Sequence, residues 1–568
     1  MKQYTIREDI SKADREKLIE HSDIVAQLLH HRGIRTKEDA DVFLSPEYTK
    51  GNHDPFLMND MEKAVERILD AVESHEKICI YSDYDADGIP GAVVLHDLFK
   101  KIGYENFINY IPDRSEEGFG LNQKALSFIA EQNAKLLITV DCGIAEIENT
   151  AFANTLGMDV IITDHHNLGE ILPKSFAIVN PKIGLYPEKM LCGAGVAYKL
   201  AQAILLKKDF GIKSGEEKWL LDMVGIATLS DMVPLLGENR VLASFGLVVL
   251  RKSRRIGLQK LLRKLKIDQR RLTEDDVGFM ISPRINAASR MGVSYDAFKL
   301  LTTTDELEAD MLVDKLEKVN KERKGTTAFL VKEVKKHIEA KYSPYFQNKI
   351  IVAGDPSWKP SLLGLVANSL AESESKPVFL WGRDGAQSAL KGSCRSVGNI
   401  SVTDLMTAVA PGIFTESGGH HLAGGFAVSY DTVHLLEDEL ARVYEKFAHE
   451  AFAPDASLDA SIKIDDVNNI FVRDIERLAP FGTGNPKPIF LISDAPVYSV
   501  SMFGKTKEHL KIVLTKSNGA PLEAISFFAS EKLFEKSQNK STISIVGNIE
   551  RSFFLGRESL RIRIEDII

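Results

Sequence analysis

Apolar and polar positions along the chain change rhythm several times, and each change predicts a different kind of element. From Lys77, KICIYSD reads as a short buried strand; a turn follows, then a helix with apolar positions at Val93, Val94, Leu98 and Phe99. The unit recurs as NFINYIP with a helix around Ala125–Ala130, LLITVD with a helix, DVIITD with a loop, and FAIVNP with the helix GAGVAYKLAQAILL. Strands alternating with helices predict a mainly parallel α/β sheet covered on both faces. Beyond about residue 240 the pattern is helical and basic, and a long helical stretch from Glu306 to about Ala340 suits a connector. A smaller α/β segment follows, with KIIVAG, PVFLW and ALKGSCRS as strands and VTDLMTAVA as a helix. After about residue 455, short alternating segments such as APVYSV, LKIVLT, EAISFF and ISIVGNI predict an all-β barrel or sandwich.

Composition narrows the class. The chain has 568 residues, 44% hydrophobic and 27% charged, enough for several domains and several cores. Lys+Arg 71 against Asp+Glu 80 gives a net charge of −9, so a nucleic-acid partner must be held by local patches and not by a global field. One such patch is the stretch Arg251–Arg271, in which ten Lys/Arg accompany a single acid, Asp268. It reads either as a surface that tracks DNA or as a solvated helix face. Four separated cysteines without a CxxC suggest neither a zinc site nor disulfides. With no apolar run of membrane-spanning length, a soluble cytoplasmic protein is expected.

Candidate chemistry gathers at strand ends. Asp83, Asp85 and Asp87 alternate in SDYDADG, which on an extended chain would put three carboxylates on one side. LLITV ends in Asp141, VIIT ends in Asp164-His165-His166, and the helical VGIATLSDMVPL supplies Asp231. Separate strand ends meet at one place in open α/β sheets. Clustered carboxylates repel, and a divalent cation removes that conflict. A mixed carboxylate and imidazole set favours Mn²⁺, with Mg²⁺ as the alternative. A lone DxD is ordinarily a solvated turn and a lone HH an ordinary surface pair; all four motifs in order are neither.

DYDADG, VDCG, TDHH and SD resemble the four motifs of the DHH phosphoesterase superfamily, and within it the RecJ family of single-strand-specific 5′→3′ exodeoxyribonucleases. LLHHRGIRTKEDADVFLSPEY, PRINAASR, GSCRS, GGHHLAGG and LAPFGTGNPKPIF extend the resemblance over nearly the whole chain. It implies an N-terminal lead-in (1–55), a parallel-sheet DHH catalytic domain (56–240), a basic helical region and connector helix (241–340), a DHHA1 domain (341–452) and an OB-like β-barrel domain (455–568). It implies two cations held by Asp83, Asp85, Asp87, Asp141, His165 and Asp231, with Asp141 as the bridge. His166 would contact the scissile phosphate or protonate the departing oxygen, and Asp164 would orient His165. Arg114, Ser393 and Arg395 match a pocket for the 5′ phosphate, and Arg284 and His420 match positions facing the strand. The lobes would face each other across a groove, with the OB-like domain closing one side against duplex DNA. Single-stranded DNA is the implied substrate, with a single-strand-binding protein and helicases as partners of a monomeric enzyme in repair and recombination. Two other readings remain: a DHH phosphodiesterase for short oligonucleotides, which would lack the OB-like domain, and a non-catalytic DNA-binding scaffold, which would lack ligands. The chain departs from the family pattern at Ile89-Pro90-Gly91, Ser289, Cys394 (Gly is usual) and Gly424 (Ala is usual). His30, His31, Asp355, Trp358, His421 and Cys142 are assigned no chemistry.

Overall fold

A computed structural model describes residues 4–341, 349–383, 389–447, 456–505, 507–554 and 557–568. Contacts divide the chain into two units, one of residues 52–233 and 237–453, the other of residues 1–51, 234–236 and 454–568.

The larger unit begins with a sheet of β1 (Lys77–Ser82), β2 (Phe107–Tyr110), β3 (Ala134–Val140), β4 (Asp159–Thr163) and β5 (Ala177–Val179). All five are parallel, in the order β2-β1-β3-β4-β5. Their near-continuous apolar runs follow from helices lying on both faces; Ile78, Ile80, Leu137, Ile138, Val160 and Ile162 are fully buried. The chain reverses its direction of travel between β1 and β3, the place where such sheets take ligands. Register makes the point sharper. Ser82 pairs with Val140, Val140 with Thr163 and Thr163 with Val179, so four strands end on one line. The residues that come next are Asp83, Asp141, Asp164 and Asn180. Each acid's backbone N–H extends the ladder by one bond: Asp83 to the Val140 carbonyl (3.1 Å), Asp141 to Thr163 (3.0 Å) and Asp164 to Val179 (3.2 Å). Burial of the sheet therefore positions three acids before any chemistry is considered.

Helices α1 (Gly88–Lys101), α2 (Gly193–Lys207), α3 (Leu221–Ser230) and α4 (Ser282–Arg290) complete this lobe, and the 36-residue α5 (Glu306–Lys341) leads away from it. Pro90 falls in the first turn of α1, where it is tolerated. Most cations of the basic stretch are exposed, and some are tied to neighbouring acids. Arg255 bonds Asp222 (2.7 Å) and Asp97 (2.6 Å), while Lys260 and Lys264 on the helix Ile256–Leu265 pair with Asp310 and Asp314 of α5. These contacts give Arg255, Lys260 and Lys264 structural partners.

The second lobe has β6 (Ile351–Gly354), α6 (Pro360–Glu374), β7 (Val378–Gly382), β8 (Leu390–Arg395), α7 (Val402–Ala408), β9 (Phe414–His420) and β10 (Ala423–Val428). Its sheet runs β9-β10-β8-β7-β6, antiparallel except for β6 with β7. Two of the departures meet here. Cys394 and Gly424 are direct partners across β8 and β10, and a Cβ on Gly424 would lie 2.9 Å from the Cys394 sulfur and 2.9 Å from the Met406 methyl. A larger residue on one strand is thus matched by a smaller one on the next.

The other unit is the expected β domain. β11 (Ala460–Ile462), β12 (Phe490–Phe503), β13 (His509–Thr515), β14 (Pro521–Ser526), β15 (Thr542–Phe554) and β16 (Arg557–Ile567) run in the order β11-β12-β13-β14-β16-β15, and β12 also pairs with β15 to close the ring. The lead-in belongs to this unit. Tyr4–Ile6 pairs with Ala456–Leu458, and Val25, Leu28 and Leu29 of the helix Asp23–His31 share a core with Phe490, Ile512 and Ile562. His31 and Arg32 bond Asp459 (3.3 Å) and Asn485 (2.7 Å), which accounts for LLHHRG and GTGNP structurally.

The Cys394–Gly424 match can be measured. Gly424→Ala should destabilise the protein by about 1–3 kcal/mol through overpacking. Adding Cys394→Gly should recover part of that loss, a coupling of at least about 0.5 kcal/mol in a denaturation cycle. Strictly additive effects would refute the compensation.

Candidate metal centre and phosphate groove

The three acids on the ladder line are joined by groups from the turn after β1, the loop after β4 and the end of α3. The chain does not stay extended after Ser82, as the alternation of Asp83, Asp85 and Asp87 suggested. It bends straight into α1, and the Asp85 carboxylate accepts from the backbone N–H of Asp87 (2.8 Å) and Gly88 (3.1 Å). The turn splits the three acids between two places: Asp83 and Asp85 gather with Asp141, and Asp87 gathers with His165 and Asp231. A third set is Asp141, His165 and His166, and within each set the ligand atoms lie within 4.8 Å of one another. Asp141 is common to two sets. His165 Nε2 is 3.1 Å from Asp141 Oδ1 and 3.7 Å from both Asp87 Oδ2 and Asp231 Oδ2.

Local sequence enforces this convergence. Asp141 adopts φ +62°, a left-handed conformation that costs a non-glycine residue energy, and this turn sets the carboxylate at the strand end. Gly193 allows its approach, since a Cβ there would sit 2.5 Å from the Asp141 Cβ. The same residue opens α2, and both Asp87 oxygens accept from its first N–H groups, Gly193 at 2.6 Å and Ala194 at 2.8 Å. The positive end of the helix thus faces a buried carboxylate.

Electrostatics show what the cluster lacks. Burial, followed by repulsion from neighbouring acids, drives Asp83 and Asp141 well above the usual carboxylate range, Asp87 to about 7 and Asp231 to about 9. Asp83 Oδ1 and Asp141 Oδ1 are buried without a hydrogen-bond partner. Orphaned carboxylate oxygens facing one another are unfavourable unless a cation lies among them. His165 fits the same demand. Burial and the charge on His166 hold it at about 3, and its ring hydrogen-bonds the Leu191 backbone, leaving Nε2 as a lone pair towards the acids. The donor set fits one or two hard divalent cations.

Asp164 has a different partner from the one expected. Its Oδ1 takes the His166 ring Nδ1 (2.7 Å) and the His165 backbone N–H (2.7 Å), and its Oδ2 takes the Ile144 N–H (2.9 Å). The sharp turn after β4 folds the carboxylate back onto the second histidine. Although burial opposes charge on His166, the bond to Asp164 outweighs it and raises the pKa to about 9.

A groove of about 730 Å³ adjoins the acids, lined by Tyr84, Arg114 and Phe119 from the first lobe and by Ser393, Gly418 and Gly425 from the second. Arg114 stacks over the Tyr84 ring at 5.1 Å. Arg395 donates to the Cys394 carbonyl (2.7 Å). Between them in charge is Arg290, which sequence reasoning missed although it ends PRINAASR. Burial, then the positive charges of Arg114, Arg395 and Arg323, pull its pKa down to about 9. Its guanidinium donates to the Ser361 carbonyl (2.6 Å), and Ser361 returns a bond to the Arg290 carbonyl, so α4 grips the second lobe. Asn286, one turn earlier, accepts the Ala86 N–H (3.0 Å), and that spacing of four was the available signal. His420 ends β9 within electrostatic reach of His166 and of Lys182, another cation the sequence reading passed over. Arg284 does not join the group; it is buried in an ion pair with Glu317 of α5 (2.6 Å).

Family models match three stretches: the DHH family N-terminal domain over residues 77–228, the DHHA1 domain over 347–449 and the RecJ OB domain over 458–566. The single-stranded-DNA-specific exonuclease RecJ of Bacillus subtilis (strain 168) is 35% identical over 573 residues, spanning 99% of this chain and 70% of that protein. The chain belongs to the RecJ family. RecJ of Haemophilus influenzae is 28% identical, with 96% of each chain covered. The crystal structure of RecJ in complex with Mn²⁺ from Thermus thermophilus superposes with a TM-score of 0.82 at 25% identity, covering all of this chain and 79% of that one. A second RecJ structure, bound to manganese, gives 0.57 at 30% identity over 70% of this chain and 96% of that one. The α/β lobe, the smaller lobe beyond a long helix and the C-terminal closed β ring agree with the family fold. Among the described residues, no helix is long and apolar enough to cross a membrane.

The raised carboxylate values have a measurable consequence. These groups hold protons that an unfolded chain releases, so their contribution to stability falls as pH rises from the ordinary carboxylate range towards about 9. A cation replaces those protons. The melting-temperature gain on adding Mn²⁺ should therefore be larger at about pH 8 than at about pH 6, with protons released on binding. A gain independent of pH, with no proton release in calorimetry, would contradict the assignment.

Proposed function

We propose that the chain is a single-stranded-DNA-specific 5′→3′ exonuclease that releases 5′-mononucleotides with two divalent cations, Mn²⁺ or Mg²⁺. The observation that carries this reading is the convergence of Asp83, Asp85, Asp87, Asp141, His165 and Asp231 around buried carboxylate oxygens that lack partners, in a RecJ-family chain. A scaffold would not keep such a costly set, and an oligonucleotide phosphodiesterase would not carry the RecJ OB domain. Cations bound there would supply a nucleophilic water and polarise the phosphodiester.

The chain's own groups do the rest. Asp164 occupies Nδ1 of His166, so the charged ring offers its Nε2 proton, placed to reach the departing 3′ oxygen. Arg114, Arg290 and Arg395, with the Ser393 hydroxyl, offer forked charged donors suited to a terminal phosphate. His420 faces the strand from the second lobe. A terminal phosphate held there leaves the next phosphodiester at the acids, which sets the polarity. Single-strand-binding protein and helicases as partners, a monomeric state, a cytoplasmic place of action and a role in repair and recombination are part of the same proposal and follow from the family likeness.

Asp141→Ala should abolish hydrolysis of a 5′-labelled single strand with Mn²⁺ while the protein still melts cooperatively; wild-type-like turnover would sink the assignment. Arg395→Ala should reduce the preference for 5′-phosphate over 5′-hydroxyl ends by roughly ten- to a hundredfold. An unchanged preference removes Arg395 from the pocket, and digestion of 5′-blocked strands from the 3′ end overturns the polarity.

A further inference from the structure

Three aromatic side chains line the groove among the described residues, and two are unavailable to a ligand: Tyr84 and Phe426 are buried. Phe119 is the exception, with half of its surface open. It packs edge-to-face on the His166 ring, 5.6 Å between centroids at 71°, which engages one part of the ring and leaves another to the groove.

The loop that presents it is built for the purpose. Phe119 stands between Gly118 (φ +83°) and Gly120 (φ +80°). Glu117 ties the loop down by accepting from the Asp113 N–H (2.7 Å) and the Tyr110 hydroxyl (2.7 Å). Tyr81 donates to the Gly120 carbonyl (2.8 Å). A large apolar side chain in a clamped loop, half exposed beside buried charges, is a poor choice for solubility or core packing.

We infer that Phe119 is the stacking platform for the nucleobase of the 5′-terminal nucleotide, and so a binding and positioning residue for the nucleotide about to be released. The inference rests on the proposed polarity and on the role given to His166. Phe119 touches His166, which serves the scissile phosphate, and lines the same groove as Arg114 and Ser393, which serve the terminal phosphate. The group lying between two consecutive phosphates is one nucleoside, and its flat apolar part is the base. Stacking needs a π face and no particular hydrogen-bond pattern, so such a platform accepts every base. Across the groove, Gly418 and Gly425 present no side chain, which leaves room for purines and pyrimidines alike.

The test is a cycle between protein and DNA. Wild type and Phe119→Ala are each given single strands whose 5′-phosphorylated terminal nucleotide carries a base or a tetrahydrofuran abasic analogue, and kcat/KM is read from release at the labelled 5′ end. For wild type the base-bearing end should be favoured by roughly tenfold or more, the scale of base–aromatic stacking. Phe119→Ala should collapse that ratio towards one, Phe119→Trp should keep it, and Phe119→Leu should not. An equal loss on both ends, leaving the ratio intact, would mean that Phe119 acts only through His166 and would overturn the platform. Failure of wild type to release nucleotides from the 5′ end would instead overturn the polarity reading, so the two failures are separable. Because each ratio is taken within one variant, a general loss of folded protein cannot mimic the result.

Discussion

Mutual repulsion of buried carboxylates is the constraint around which the larger unit is organised. Asp83 and Asp141 at the strand ends are brought together with Asp87 and Asp231, and burial with mutual repulsion raises the pKa of all four. The fold meets part of the cost with its own dipoles. The first N–H groups of α2 face Asp87, and backbone N–H groups of the α1 turn face Asp85. For Asp83 Oδ1 and Asp141 Oδ1 it provides nothing. The strain at Asp141 and the bare Cα of Gly193 serve the same end, since each brings the carboxylate nearer to its neighbours than ordinary residues would permit. A site of this kind is complete only with its cations, and its affinity for them is the repulsion released.

Separation of proton states is the second consequence. His165 and His166 are adjacent in sequence and 4.6 Å apart between rings, yet they are driven in opposite directions, one kept neutral and the other charged. The difference lies in Asp164, whose oxygen takes a ring N–H from His166 and only a backbone N–H from His165. Identical side chains are thereby held in opposite protonation states, the division on which their proposed roles rest.

Much of this was legible in the sequence because it depends on the sheet. The strands are read from apolar runs, their carboxyl ends from the acids that stop them, and the gathering of acids and histidines from three such ends and one helix end. What escaped depends on turns and on tertiary neighbours. The spacing of Asp83, Asp85 and Asp87 suggests an extended chain, and only the turn into α1 reveals that Asp87 serves a different set. Asp164 adjoins His165 in sequence, but the backbone turn hands its side chain to His166. Arg284 and Arg290 lie on one helix, and nothing in PRINAASR says that Glu317 claims the first while the Ser361 carbonyl of the second lobe takes the second. The lead-in looks like a preface to the catalytic lobe, yet its helix packs on strands some 450 residues later, a pairing no local pattern encodes.

The cationic group mirrors the acidic one, and the pairing explains selectivity better than either does singly. Arg290 is held at about 9 by burial and by the charges of Arg114, Arg395 and Arg323, so like charges of the second sign are also crowded out of water. Each cluster is poised for a ligand of opposite charge, and each gains most from the ligand that carries the most charge. A terminal phosphate near neutral pH approaches two negative charges, whereas an internal phosphodiester carries one. In the proposed pocket the arginines would therefore favour an end over the middle of a strand on electrostatics alone. With a net charge of −9, attraction for DNA is left to local cationic patches. Under the proposed function, selection of a 5′ end would be a matter of charge density in that pocket, with the acids one nucleotide away.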